Sequence, residues 1–171
     1  MTTMQRIRPC LWFDSEAEEA AKFYTGIFRN SRIHYITRYS NAGFETHKRP
    51  AGSVMTVVFE LDGQRFTALN GGPDFKFNEA VSMEIHCENQ EEIDYYWEKL
   101  SAGGDPAAQV CGWLKDRYGL SWQVVPRGVD ELFKDEKSPG AQAAMEALLT
   151  MKKIDFAALR EAYESAGAVL R

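Results

Sequence analysis

Long hydrophobic runs are missing from this chain. No apolar stretch approaches the ~20 residues that a membrane-spanning helix needs, and the opening Met-Thr-Thr-Met-Gln-Arg lacks the apolar core of a secretory signal. A surplus of positive charge is missing too. The formal net charge of −5 argues against a nucleic-acid partner, which requires a concentrated basic face, and the short cluster His47-Lys48-Arg49 does not change that. Cysteine is scarce. Cys10, Cys87 and Cys111 are odd in number, widely spaced and without a C-x-x-C pair, so neither a zinc knuckle nor a redox motif is expected. Each is read as a small buried hydrophobe. A Gly-x-Gly-x-Gly turn leading from a strand into a helix is also absent, which removes the usual dock for a nucleotide-like cofactor. Ala102-Gly103-Gly104-Asp105 follows a helical pattern and reads as its C-cap. A cytoplasmic protein with no nucleic-acid or membrane partner is expected.

What is present fits an ordinary globular protein. The 171 residues, 44% hydrophobic and 26% charged, suit one compact domain or two small modules sharing a core. Residues 6–13 read as a strand, with Ile7, Pro9, Leu11 and Phe13 on one face and Arg8, Cys10, Trp12 and Asp14 on the other. Ser15-Glu-Ala-Glu18 has the spacing of a capping box, and a helix follows through Phe28 with Ala20, Tyr24, Ile27 and Phe28 on its apolar stripe. Residues 31–40 alternate as a strand through Ile33, Tyr35, Thr37 and Tyr39. Residues 41–52 read as a long loop. Strands at 53–61 and 64–70 are joined by the hairpin signal Asp62-Gly63.

The pattern then recurs. Val81, Met83, Ile85 and Cys87 form an apolar strand face, and Ser82, Glu84 and His86 a polar one. Asn89, with Glu92 three residues on, can cap a helix carrying Ile93, Tyr96, Trp97 and Leu100 at i, i+3, i+4 and i+7. A short strand is expected at 107–112. It is followed by a hairpin that turns at Asp116-Arg-Tyr-Gly119 and stops at Pro126. Each half thus reads β-α-β-β-β, and neither could bury its sheet and helix alone. Beyond Pro126, a helical turn is expected at 130–133. A helix opened by Ser138-Pro139 follows, and a last one is capped by Asp155. The expected division is 1–73, 74–127 and a helical appendage, 128–171, packed on a sheet or a partner subunit.

Four stretches, Phe13-Asp-Ser-Glu-Ala-Glu-Glu-Ala-Ala-Lys-Phe-Tyr24, Phe66-Thr-Ala-Leu-Asn-Gly-Gly72, Glu92-Ile-Asp-Tyr-Tyr-Trp-Glu-Lys-Leu100 and Asp116-Arg-Tyr-Gly-Leu-Ser-Trp-Gln-Val-Val-Pro126, together resemble the PhnB-like branch of the vicinal-oxygen-chelate superfamily. This is the glyoxalase/bleomycin-resistance/dioxygenase superfamily, and the branch is often labelled 3-demethylubiquinone-9 3-methyltransferase-like. The likeness extends to Met151-Lys-Lys-Ile-Asp155. It implies an α+β fold of paired βαβββ modules, each curling its sheet around a cleft, and a homodimer. In the superfamily's metalloenzymes, one side chain from the first and last strand of each module holds a divalent ion, which stabilises charge developing on two vicinal oxygens. Here those positions fall near Arg8, Pro9 and Cys10, at Phe66 or Ala68, among Ser82, Glu84 and His86, and at Gln123. That ligand set is incomplete for a catalytic ion, so no cofactor is expected.

Glu84 and His86 share a polar strand face. They read as an acid/base pair, as part of a metal site, or as a partly exposed hydrogen-bonded pair. Trp12, Phe66, Asn70, Trp113 and Gln123 would line the implied cleft and suit a flat or apolar small organic molecule, although Trp12 and Trp113 could equally fill the core. His34 reads as a surface strand residue and His47 as a loop residue. Two functions remain open: a small-molecule binder, or an enzyme using Glu84 or His86 in the same cleft.

Overall fold

A computed structural model describes residues 6–168. The chain divides into two compact units between residues 76 and 77. Each is an α+β layer of one sheet with a helix across one face.

In the first unit, β1 (Cys10–Phe13), α1 (Ala17–Ile27), β2 (Ser31–Arg38), β3 (Val54–Leu61) and β4 (Gln64–Asn70) form a four-stranded sheet ordered β1-β4-β3-β2. β1 runs parallel to β4, and the other pairs are antiparallel. Alternation sorts the side chains. Leu11, Phe13, Val57, Phe59, Leu61, Phe66 and Ala68 are buried, and α1 covers them with Ala17, Ala20, Ala21, Tyr24 and Ile27. Tyr24 stacks on Phe59, and Phe59 on Phe66 (centroids 6.2 and 5.4 Å apart). Burying one such ring contributes roughly 1.5–3 kcal/mol.

Several expectations are corrected here. The capping box does not form, because α1 starts at Ala17 behind Glu16 with no local side-chain cap. Instead the Asn70 Oδ1 accepts from the Ala17 amide at 2.8 Å, so a residue 53 positions away caps the helix. In β2 the alternation breaks at a bulge between Ile33 and Tyr35, and His34 is the extra residue. The 41–52 loop contains a short helix, α2 (Phe44–His47). The His47 ring lies 4.6 Å from that of Tyr39.

In the second unit, β5 (Ser82–Cys87), α3 (Gln90–Ser101), β6 (Trp113–Lys115) and β7 (Ser121–Pro126) give a three-stranded sheet ordered β5-β7-β6. The cap expected at its helix does form, with Glu92 reaching back to the residue before the N-cap. Asn89 Oδ1 accepts from the Glu92 amide at 2.9 Å, and Glu92 Oε2 accepts from the Glu88 amide at 2.8 Å. The strand expected at 107–112 is not formed. Asp105 caps a 3-10 turn over Pro106–Ala108. Cys111 and Gly112 both have positive φ (51° and 85°), as a tight hairpin loop requires, which leaves only Val110 to pair with Trp113. The second half is therefore β-α-β-β with one bridge in place of a strand.

Asp116 governs the next hairpin. Its buried carboxylate accepts from the amides of Tyr118 (2.8 Å) and Leu120 (3.1 Å) and from Trp122 Nε1 (2.8 Å). An aspartate that folds back onto its own turn fixes that turn, and here it also orients the indole that follows.

The C-terminal helices α4 (Pro139–Thr150) and α5 (Phe156–Ala168) belong to this second unit. Ser138 Oγ caps α4 at the Ala141 amide, and Asp155 caps α5 at Ala158. Val129, Ala144, Ile154 and Leu159 form their buried core. The linker between them is pinned to the sheet, since the amides of Cys111 and Gly112 donate to Met151 O and Lys152 O, each at 2.8 Å. The side-chain amide of Gln90, at the start of α3, clamps Ile154 O (3.0 Å) and the Phe156 amide (3.1 Å).

Among the described residues no helix is long and apolar enough to cross a membrane. All three cysteines are free. Cys87 is buried as expected, and burial, with a smaller push from Glu92, raises its thiol to about 12. Cys10 departs from the expectation, standing exposed on the edge strand β1.

Candidate functional site

Each sheet has a helix-covered face and an open face, and the two open faces differ. In the second unit the open face carries most of the residues that the sequence singled out. Strand register sets Glu84 opposite Gln123, and Gln123 opposite Trp113. One row across the sheet therefore reads carboxylate, amide, indole. The neighbouring rows add Ser82, Ser121 and Lys115 on one side and His86 with Val125 on the other. Glu84 Oε2 and His86 Nε2 are 3.4 Å apart, with side chains 52% and 50% exposed. Gln123 Nε2 donates to Ser82 Oγ at 2.9 Å, which fixes its amide.

At the β6 end of this face lies a groove of ≈ 350 Å³, lined by Ala107, Ala108, Val110, Trp113, Lys115 and Ser121, with Glu79 at its rim. Lys115 Nζ pairs with Glu79 Oε1, and this hydrogen bond holds the Glu79 carboxyl below the usual carboxylate range. Ser121 is buried, and its Oγ has no hydrogen-bond partner among the described residues. An unpaired buried hydroxyl costs about 1–3 kcal/mol.

The first unit does not bring its predicted site residues together in this way. Phe66 and Asn70 lie on the helix-covered face of β4 with Ala68, one residue out of phase with the expected cleft. The intervening Arg65, Thr67 and Leu69 occupy the open side. The Asn70 amide is committed at both ends, since Oδ1 serves Ala17 and Nδ2 donates to Val54 O at 3.1 Å. Trp12 does stand on the open side. Its Nε1 donates to Gly72 O at 2.8 Å, Phe75 meets its ring edge-on at 4.9 Å, and it lies so close over Gly71 that any larger residue there would collide with the indole.

Sequence reasoning missed what dominates that open face. Glu60 accepts from His34 Nε2 at 3.1 Å and pairs with Arg65 (3.5 Å) and Arg32 (3.8 Å). The His34 hydrogen bond, helped by the two guanidinium charges, holds the Glu60 carboxyl below its ordinary value. Thr37 and Thr56 hydrogen-bond at 2.6 Å, and Arg8 reaches Thr67 Oγ1 at 3.5 Å. Glu60 was findable, as the one charged residue in its strand. His34 was not, because a bulge leaves no trace in an alternation pattern.

Comparison with known proteins now bears on this geometry. The family described as 3-demethylubiquinone-9 3-methyltransferase matches residues 5–125. The PhnB protein from Bacillus cereus is 36% identical over 71% of this chain and 99% of its own, with a TM-score of 0.60. The chain belongs to this family. It is a PhnB-like member of the vicinal-oxygen-chelate superfamily. The protein PA1353 from Pseudomonas aeruginosa shares the fold at 18% identity, covering 72% of this chain and 98% of its own, with a TM-score of 0.55. No curated protein matches it.

The family match ends at residue 125, so the likeness expected at Met151–Asp155 has no counterpart in it. The C-terminal helices are an addition of this chain to the matched region. The linker between them closes onto the Cys111-Gly112 loop at the point where the second sheet lacks a strand.

The superfamily's divalent ion can be tested against the donors present. Among the described residues no three His, Cys, Asp or Glu side chains stand together. In the second unit the position of the last-strand ligand is held by Gln123, already donating to Ser82. In the first, β4 turns Thr67 to the open face. These donors do not make up a catalytic set.

Proposed function

We propose that this PhnB-like protein binds a small organic molecule on the open face of its second sheet, without a resident metal, and that it does so as a homodimer in the cytoplasm. The observation that carries the binding reading is the row Glu84–Gln123–Trp113, which places an acceptor, an amide and an aromatic surface on one uncovered side of the sheet. Aromatic bodies with a few fixed polar groups are the usual make-up of a small-molecule site. Three free cysteines are in keeping with a reducing compartment.

An enzyme using Glu84 and His86 has one observation in its favour, their 3.4 Å approach. Their exposure weighs against it, because a general acid or base is usually tuned by removal from water. The methyl transfer in the family's description has less support. Gly103 and Gly104 follow α3 as its exit, and Gly104 backs directly onto the Lys115 carbonyl, so this pair is not a cradle between strand and helix.

The test is a thermal-shift screen of small aromatic compounds against the wild type, Trp113→Ala, and the double variant Glu84→Gln/His86→Ala. Compounds that raise the melting temperature of the wild type should lose their effect in Trp113→Ala and keep most of it in the double variant, where the glutamine carbonyl still accepts. Stabilisation that survives Trp113→Ala would contradict the site. Substrate turnover abolished by the double variant would favour the enzyme.

A further inference from the structure

We propose that the groove beside Trp113 takes a small carboxylic acid with an apolar body, its carboxylate held between Ser121 and Lys115; this rests on the binding reading above and gives it a ligand class. Ser121 is 1% exposed, lines the groove, and has an unpartnered Oγ. Lys115 stands directly opposite Ser121 across the β6–β7 pair, and it lines the same groove. An ammonium group only donates, and a serine hydroxyl has one proton to give. The hydroxyl can also accept, but a group that takes a hydrogen bond from both donors accepts twice, and the Lys115 charge favours an anion there. A carboxylate has two oxygens for the two donors. A phosphonate would bring a second charge, and Lys115 is the one cationic side chain among the groove's described lining residues. An amine would face Lys115 with like charge.

Glu79 already plays the acid's part for Lys115, but from outside. Its side chain is 62% exposed against 25% for Lys115. An exposed ion pair contributes little, so an incoming acid can take the place of Glu79 while water receives the released carboxylate. The exchange gains what Glu79 leaves undone, a partner for Ser121. The walls set the rest of the ligand. Ala107, Ala108, Val110 and the Trp113 ring offer hydrocarbon, and ≈ 350 Å³ limits the body to roughly the size of one or two rings.

The experiment is calorimetric titration of the intact protein with benzoate and with its neutral isostere benzamide, repeated on Glu79→Gln, Ser121→Ala and Lys115→Met. Benzoate should bind about tenfold tighter than benzamide. Glu79→Gln should tighten benzoate several-fold by removing the competitor. Ser121→Ala should weaken it about fivefold, while melting no lower than wild type because it deletes an unpaired hydroxyl. Lys115→Met should reduce benzoate to the level of benzamide. Equal binding of benzoate and benzamide, or no gain in Glu79→Gln, would overturn the acid assignment and leave small-molecule binding standing. No binding of either compound to wild type or to Glu79→Gln, with no hit in the thermal-shift screen, would sink both.

Discussion

In the first unit the open face of the sheet is tied by its own side chains. Glu60 is shared among His34, Arg32 and Arg65, Thr37 meets Thr56, Arg8 meets Thr67, and Trp12 is bonded to Gly72. In the second unit the equivalent face leaves groups unspoken for. Ser121 has no partner among the described residues, Glu84 and His86 are half-exposed, and the Lys115 amine leans on an exposed rim acid. Both sheets bury their other face beneath one helix, so the covered sides follow the same rule and the open sides do not. A polar face that satisfies itself is rigid and has little left for a ligand. A polar face with open valences is where binding energy remains to be gained.

The helix starts differ in the same spirit. α3 is capped locally by Asn89, whereas α1 is capped from β4 by Asn70. The first unit therefore uses a strand residue as structure where a binding cleft had been expected.

The largest effect should come from the second unit's own scaffold. Asp116→Asn replaces an acceptor facing Trp122 Nε1 with a donor or forfeits a turn amide, and it should cost about 3 kcal/mol, or roughly 10 °C in melting temperature, by thermal unfolding. Asn70→Ala comes next. It leaves the Ala17 amide and Val54 O without their partner and should cost about 2 kcal/mol in denaturant titration. If Asn70 were instead a ligand group in an open cleft, its loss would be nearly neutral for stability. A third expectation concerns pH. Glu60 is held below its ordinary value in the folded state, so the folded protein binds fewer protons there than the unfolded one. Its contribution is complete above the unfolded value, about 4.3, and is lost as pH falls through the lower folded value. Glu60→Gln should flatten that acid limb in a stability–pH profile. The smallest effect belongs to Glu84→Gln/His86→Ala, expected to change stability by less than about 0.5 kcal/mol. A large loss would mean that this pair is structure, as the Glu60 cluster is.

The fold was legible because both halves repeat an apolar alternation, an amphipathic helix and a glycine turn, and each is a local signal. In the second half, Glu84, His86, Trp113 and Gln123 could be placed on one face because β5 and β7 are regular and in register. What escaped was non-local or broke a period. The fate of Asn70 depends on a helix start 53 residues away. Phe66 was assigned by analogy to a cleft, although its alternation with Ala68 already pointed to the helix. The strand expected at 107–112 was lost to Asp105-Pro106 and to two consecutive residues of positive φ, one of them a cysteine that gives no warning of it. His34 meets Glu60 only because a bulge at Ile33–Tyr35 breaks the alternation.

The most direct test of the contrast between the two faces is amide chemical-shift mapping of the protein with a mixture of small aromatic acids and their neutral analogues. We expect perturbations gathered on Ser82, Glu84, Trp113, Lys115, Ser121 and Gln123, with Thr37, Thr56, Glu60 and Thr67 silent. Perturbations centred on the second group would contradict the account, because the face that satisfies itself would then be the one that binds.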